Sequence, residues 1–174
     1  MWTKNLALLV AILSLSFTAT PARAGEEWGI AHEKVVRFEA KVVDIACELT
    51  GNCPKACGGG KRQLGLLRDD GRLILVAKNF DLFAGASADL VQFCGKRIIA
   101  DGLLIENPKM SMMALQFKKL APDGKWSRAN WFSKEWAKKN PGKPGDQWFR
   151  HDAIVKKAIA KDGILGIPGL KPEE

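Results

Sequence analysis

The stretch ADLVQFCGKRIIADGLL, residues 88–104, decides the fold. Together with Ser87 its first half predicts a short helix over 87–93, because serine is a good helix cap and Leu90 lies on an apolar side. Its second half opens a strand that is predicted over 97–106. The chain therefore passes directly from a helix into a strand, with further strands on both sides of this passage.

Three strands are predicted before this helix. Residues 34–45 alternate between polar and apolar side chains, which is typical of a strand with one buried face. The runs 62–67 and 72–78 are also strand-like, and the Asp-Asp-Gly sequence at 69–71 predicts a tight hairpin turn between them. Residues 51–61, between the first and second of these strands, form a loop that is rich in cysteine and glycine.

A fifth strand is predicted over 111–120, after a turn at Asn107-Pro108. With this order of strands and helix, the segment 88–104 resembles the helix-to-strand passage of small OB domains. The resemblance covers residues 34–121 and implies a mainly-β, five-stranded OB-like barrel with a helix between strands 3 and 4. The alternative is a small open sheet with a helix across one face.

Residues 122–174 are predicted to form a basic, tryptophan-rich helical extension of the barrel. One helix is predicted over 130–139 and is stopped by the Asn-Pro-Gly-Lys-Pro-Gly sequence that follows it. A second helix is predicted to begin at Asp146, whose carboxylate suits a helix cap, and to end at Gly163. The tail from 164 onward is predicted to be extended.

The beginning of the chain has the pattern of an export signal. Lys4 supplies a positive charge, residues 6–17 are almost wholly apolar, and Ala22-Arg23-Ala24 is a small-x-small cleavage site. A membrane anchor is the alternative, but a spanning helix needs roughly 20 apolar residues. We therefore predict a periplasmic or secreted protein. The predicted parts are a signal peptide, a barrel domain and an extension: 1–24, 25–121 and 122–174.

Four cysteines are candidates for special chemistry: Cys47, Cys53, Cys57 and Cys94. In an exported protein such cysteines either form disulfides or hold a soft metal. Three disulfide pairings are possible. The short loop between Cys53 and Cys57 favours a bridge there, which leaves Cys47 to pair with Cys94 and to tie the first strand to the end of the helix.

Two alternatives are open for Cys53 and Cys57. Their Cys-x3-Cys spacing resembles the copper-binding loop of exported copper chaperones that serve cytochrome oxidase, which implies a copper or zinc site on their thiolates. That resemblance covers five residues, and those chaperones have a thioredoxin-like fold. The second alternative is a thiol redox site, in which nearby Lys55 would favour the reactive thiolate.

Positive charge and tryptophan are concentrated in residues 118–161. The chain has a formal net charge of +8, and this stretch holds twelve Lys or Arg against four acids, with four of the six tryptophans. Such a segment suits an acidic protein partner, an anionic ligand or anionic lipid head groups at a membrane surface. The alternative is that the aromatic side chains pack the helices onto the barrel. The predicted binding residues are Trp131, Lys134, Trp136, Lys138, Lys139, Trp148 and Arg150.

The sequence predicts no catalytic constellation. It has two histidines and no nucleophile-elbow sequence. Nucleic acid is not an expected partner, because an exported protein is separated from it. We predict a non-enzymatic binding or accessory protein that is stabilised by disulfides, has no cofactor and docks through its basic extension. The alternative is a metal-handling or redox accessory protein that uses Cys53 and Cys57.

Overall fold

Two long antiparallel strands form the centre of a β-barrel. The computed structural model describes residues 25, 27, 29, 31–81, 85–163 and 166–167. The strands are β1 (Glu33–Asp44), β2 (Leu64–Leu67), β3 (Leu73–Lys78), β4 (Arg97–Asn107), β5 (Met110–Leu120) and β6 (Ser127–Arg128). The helices are α1 (Ile45–Thr50), α2 (Ala86–Leu90), α3 (Trp131–Lys139), α4 (Trp148–His151) and α5 (Ala153–Asp162). Short 3-10 turns lie at Cys57–Gly60, Val91–Phe93 and Gly145–Gln147.

The sheet closes on itself. Its strands lie in the order β3, β2, β1, β4, β5 and β6, and adjacent strands in this order are antiparallel. Closure comes from a parallel pairing of β3 with β5, in which Leu75 lies opposite Met112. The predicted five-stranded, mainly-β, OB-like barrel is therefore confirmed, and the open-sheet alternative is wrong. The short strand β6 lies outside the ring, beside β5.

Alternate side chains of the strands fill the barrel interior. Helix α2 lies between β3 and β4 along the chain, as predicted, and its Leu90 is fully buried against the same core. Each such side chain contributes about 1.5–3 kcal/mol when it leaves water, so the core is the main support of the barrel. The largest buried members from the strands are Val42, Leu64, Leu66, Ile74, Val76, Ile98, Met113 and Leu115.

Two helix starts in the barrel differ from the prediction. Helix α2 begins at Ala86, and Ser87 does not cap it; the Ser87 hydroxyl instead accepts a hydrogen bond from the Leu64 N–H at 3.0 Å. The first strand ends at Asp44, because the Asp44 carboxylate accepts hydrogen bonds from two following N–H groups at 3.0 and 3.2 Å and so caps α1. The sequence analysis missed α1: it placed Ile45 in the strand and assigned no element to residues 46–50.

The second helix of the extension does not begin at Asp146. Helix α4 ends at His151, and α5 begins after Asp152, which accepts hydrogen bonds from the N–H groups of Ile154 and Val155 at 2.9 and 3.2 Å. Gly163 ends α5, as predicted. Both aspartates are suitable caps, and tertiary packing of Asp152 decides between them. Most of the predicted tail, 164–174, lies outside the described residues.

Candidate functional site: the basic extension and its surroundings

The four cysteines form two disulfides with a pairing that differs from the prediction. Cys47 is joined to Cys53, with Cα atoms 4.5 Å apart, and Cys57 is joined to Cys94, with Cα atoms 5.8 Å apart. The predicted Cys53–Cys57 and Cys47–Cys94 bridges are wrong. The physical reason is α1: it ends at Gly51 with a left-handed φ of 71°, which turns the chain back so that Cys53 meets Cys47.

This pairing bears on the two alternatives for Cys53 and Cys57. Their sulfur atoms belong to different disulfides, so they do not form the pair of thiolates that a copper, zinc or redox site would use. Within the part of the chain that the structure describes, no group of three or more His, Cys, Asp or Glu side chains is arranged to hold a metal ion. A site that uses the thiolates of Cys53 and Cys57 together would therefore require both disulfides to open.

The disulfides indicate an oxidising environment. Structural disulfides persist outside the reducing cytosol and are rare within it. The predicted export segment, residues 1–24, lies outside the described residues. Among the residues that are described, no helix is both long enough and apolar enough to cross a membrane.

Peptide mapping without reduction should recover Cys47 linked to Cys53 and Cys57 linked to Cys94. Losing the second bridge should cost about 1.5 kcal/mol more than losing the first, because the loop it closes is longer. The sequence separations are 37 and 6 residues. Denaturant unfolding of the C47S/C53S and C57S/C94S variants measures this difference. A linked Cys53–Cys57 peptide would contradict the pairing, and a larger loss in C47S/C53S would contradict the loop-length explanation.

The predicted binding residues of the extension fall into two groups. Trp131 is 46% exposed, whereas Trp136 is 9% exposed and Trp148 is partly buried. The cationic members are all exposed: Lys134, Lys138, Lys139 and Arg150. The structure therefore brings the charges to the surface and leaves one of the three predicted tryptophans beside them.

The other two tryptophans hold the helices of the extension together. The ring of Trp148 packs edge-on against Phe132, with centroids 4.8 Å apart. The Trp136 indole N–H donates a hydrogen bond to the Asp152 carboxylate at 3.0 Å. This bond, with the amides that Asp152 caps, holds the pKa of Asp152 below its usual range. Trp136 and Trp148 therefore pack the helices of the extension on one another, which differs from the predicted alternative of packing onto the barrel.

A buried polar cluster anchors the start of α3 to the barrel. Asp89 is fully buried in α2, and its carboxylate accepts hydrogen bonds from Lys118 Nζ at 2.8 Å and Asn79 Nδ2 at 2.7 Å. It also accepts one from the backbone N–H of Trp131 at 3.0 Å. Lys118 in turn donates to the carbonyl of Arg128 in β6 at 3.1 Å. Sequence reasoning missed this cluster. The signal that could have found it is a charged residue on the buried side of both α2 and β5, Asp89 and Lys118.

On the barrel, several arginines have carboxylate partners. Arg97 pairs with Glu39 and, at 2.8 Å, with Asp69. The hydrogen bond and the charge of Arg97 hold the pKa of Asp69 below its usual range. Arg72 pairs with Glu106 at 2.7 Å. The charge of these two arginines is therefore locally compensated. Five exposed barrel lysines make no ion pair among the described residues: Lys41, Lys55, Lys61, Lys96 and Lys109.

In the extension most exposed cations lack such a partner. Among the described residues, Lys138 pairs with Glu135 at 2.5 Å, and Lys161 lies 3.9 Å from Asp162. The other exposed cations of the stretch make no ion pair within that part of the chain: Lys125, Arg128, Lys134, Lys139, Lys143, Arg150, Lys156 and Lys157. The local excess of positive charge seen in the sequence is therefore also an excess at the surface.

A second surface, which the sequence analysis did not identify, is an apolar groove of about 230 Å³ between α1, β3 and the β4–β5 turn. Leu49 is 71% exposed at one side and Met110 is 54% exposed at the other. Leu73 and Leu75 line its floor, and Lys109 stands at its rim. This groove lies where OB barrels commonly bind ligands, between the loop after strand 1 and the loop between strands 4 and 5.

Comparison of the chain with protein-family models, with curated proteins and with solved structures gave no match. The class of protein is thus defined by its own architecture, a closed OB-like barrel with two disulfides and a helical extension.

Proposed function

We propose that this protein is an exported, non-enzymatic binding protein that docks an acidic protein partner through its basic extension. The observation that carries the proposal is the density of exposed cations that make no ion pair among the described residues. Eight of them lie in residues 118–161, against five in the much longer stretch 31–117, where Arg97 and Arg72 are paired with carboxylates. Uncompensated surface charge accelerates association with an oppositely charged partner.

Export is the other part of the proposal. Its support is the signal-like pattern of residues 1–24 together with the two disulfides, which suit an oxidising compartment. The proposed location is the periplasm or the cell exterior.

The contact surface would centre on Trp131 and the lysines of α3. Trp131 is the predicted tryptophan that remains half exposed, and its backbone N–H is bound to the buried Asp89. A partly exposed indole beside cations, on a backbone anchored by a hydrogen bond, is the kind of residue that dominates binding energy at protein interfaces. Lys134, Lys138 and Lys139 lie on the same helix and supply the charge.

The triple variant K134E/K138E/K139E should associate about tenfold more slowly with an acidic polypeptide, because it reverses the charge of the docking surface. Immobilised poly-L-glutamate serves as the probe, and surface plasmon resonance over a range of salt concentrations measures the rate. The salt dependence of association should become flatter in the variant. Its free energy of unfolding should change by less than about 1 kcal/mol, since exposed charges contribute little to folding.

The matched control is K41E/K55E/K61E, which changes the net charge equally at three exposed barrel lysines. It should bind the polypeptide nearly as fast as the parent. An equal slowing in both triple variants would show that only net charge matters and would contradict a defined docking surface. Preferential binding of the parent to anionic vesicles over poly-L-glutamate would replace the protein partner with a lipid surface.

A photo-crosslinking residue at position 131 identifies the natural partner in cell-envelope or secreted material. The same residue at position 49 is the comparison, because Leu49 is exposed in the apolar groove of the barrel. An acidic protein captured at position 131 and absent at position 49 supports the proposal. Capture at position 49 alone would place the docking surface in the groove.

A further inference from the structure

Asp101 is a buried carboxylate with two partners on its two oxygen atoms. It is 1% exposed and lies in β4 where the pairing with β5 shifts register. Its Oδ2 accepts a hydrogen bond from Arg37 Nε at 2.6 Å. Its Oδ1 accepts one from the backbone nitrogen of Gly25, at 2.8 Å. A residue 76 positions earlier in the chain is thus held on the barrel wall by its backbone nitrogen.

The seat of Gly25 is tight, and a larger residue there would require its neighbours to shift. A Cβ atom at position 25 would lie 3.0 Å from the Gly102 Cα and 3.2 Å from Gln116 Oε1. A Cβ at position 102 would lie 2.1 Å from the Ala114 carbonyl oxygen, so Gly102 itself is required by the irregular pairing. The two glycines together let the chain at position 25 approach the strand closely enough to reach Asp101.

The sequence places a cleavage site directly before this residue. Ala22-Arg23-Ala24 has the small-x-small pattern, and cleavage after Ala24 would make the nitrogen of Gly25 the amino terminus of the mature chain. We infer that this seat receives the new α-ammonium group, which forms an ion pair with Asp101 that the unprocessed chain lacks. The inference rests on the proposed export and is independent of the docking surface.

The ion pair makes stability depend on processing. In the unprocessed chain the Gly25 nitrogen is a neutral amide with one N–H, whereas the freed ammonium carries a full charge and three N–H donors. The carboxylate of Asp101 accepts a charge-assisted hydrogen bond in both states, and the freed ammonium adds the attraction between two full charges. The folded barrel is therefore more stable after cleavage than before it, which suits a chain that crosses the membrane unfolded.

The surrounding charges do not remove the effect. Arg37 on β1 binds the other oxygen of Asp101, so the ammonium and the guanidinium do not compete for one atom. Lys119 on β5 is directed onto Trp126, 5.5 Å from the ring centroid. Of the nearby carboxylates, Glu39 on β1 is paired with Arg97, and Glu27, two residues after Gly25, is exposed.

The ion pair should raise the pKa of the α-amino group above its ordinary value, because the neighbouring carboxylate favours the charged form. A group whose pKa is raised on folding adds stability that is complete below its unfolded pKa and lost as the pH rises through its folded pKa. The added stability should therefore be present at pH 7 and be lost in alkaline solution.

Three proteins, all made with intact disulfides, test the inference. One begins at Gly25, one begins at Ala24, and one begins at Gly25 and carries Asp101→Asn. At pH 7 the first should melt about 3 °C above the second. This difference should vanish in alkaline solution, and adding Ala24 should have no such effect on the Asp101→Asn protein. Nitrogen-15 NMR of the labelled Gly25 amine gives its pKa directly.

The control is Glu106→Gln, which removes a carboxylate that pairs with Lys34 and Arg72 instead of Gly25. It should leave the difference between the Gly25 and Ala24 starts unchanged. An amine pKa of about 8 in the Gly25 protein would overturn the ion pair, even where Asp101→Asn fails to fold. N-terminal sequencing of exported material separates this failure from a failure of export, because a different first residue would contradict the cleavage itself.

Discussion

Replacing Asp89 with alanine should lower the free energy of unfolding by about 4 kcal/mol. The Asp89 carboxylate is fully buried and faces the ammonium of Lys118, whose side chain is 2% exposed. Removing it leaves that charge in the protein interior without a counter-charge and releases the N–H of Trp131 at the start of α3. Urea unfolding at neutral pH measures the loss.

Two further variants separate the ion pair from simple loss of packing. Lys118→Met should also be strongly destabilising, but the double variant D89A/K118M should lose less than Asp89→Ala and Lys118→Met added together, since it leaves no unpaired buried charge. Glu106→Gln breaks ion pairs at the surface and should cost less than about 1 kcal/mol. A loss below that size for Asp89→Ala would contradict the burial of the pair.

Replacing Trp136 with alanine should cost about 4 kcal/mol, the range expected when a buried aromatic ring is removed. Trp136 is 9% exposed and joins α3 to the start of α5 through its hydrogen bond to Asp152. Trp131→Ala is the matched control, because Trp131 lies on the same helix and is 46% exposed. It should cost less than about 1 kcal/mol while weakening the complex with the acidic partner. Equal losses in the two variants would contradict the division into a packing and a docking tryptophan.

Trp136→Phe keeps most of the ring and removes the N–H donor. It should cost less than the alanine exchange and should let the pKa of Asp152 return toward its usual value. Because a lowered carboxylate pKa gives stability that is present above about pH 4 and lost as the pH falls through the folded pKa, the variant should lose less stability on acidification. An unchanged acid dependence would contradict the role of the indole.

Some features of this fold could be predicted from the sequence, and others could not. The hairpin turn at 69–71 and the alternation of β1 were visible because they depend on local chemistry, a glycine at positive φ and a strand with one buried face. The helix cap at Asp44 was not, because an aspartate at a strand end is equally compatible with a loop. Missing that cap meant missing α1, and missing α1 gave the wrong disulfide pairing.

The candidate site was predictable in its charge and not in its shape. The excess of Lys and Arg over 118–161 is a property of composition, and the structure leaves most of those side chains at the surface. Which tryptophan faces water depends on how α4 folds back on α3, where Trp148 meets Phe132. The apolar groove joins Leu49 to Met110 and follows from closure of the barrel.

The sequence by itself determined the order of strands and helix, the concentration of positive charge and the supply of four cysteines, since each depends on neighbouring residues or on composition. Only the tertiary structure decided which cysteines are joined, that Asp89 meets Lys118, and that the nitrogen of Gly25 reaches Asp101. Those contacts join residues 6, 37, 29 and 76 positions apart. The physical reason is that a hydrophobic pattern states which face of each element is buried, while the partner across that face is set only when the barrel closes and its side chains compete for the same space.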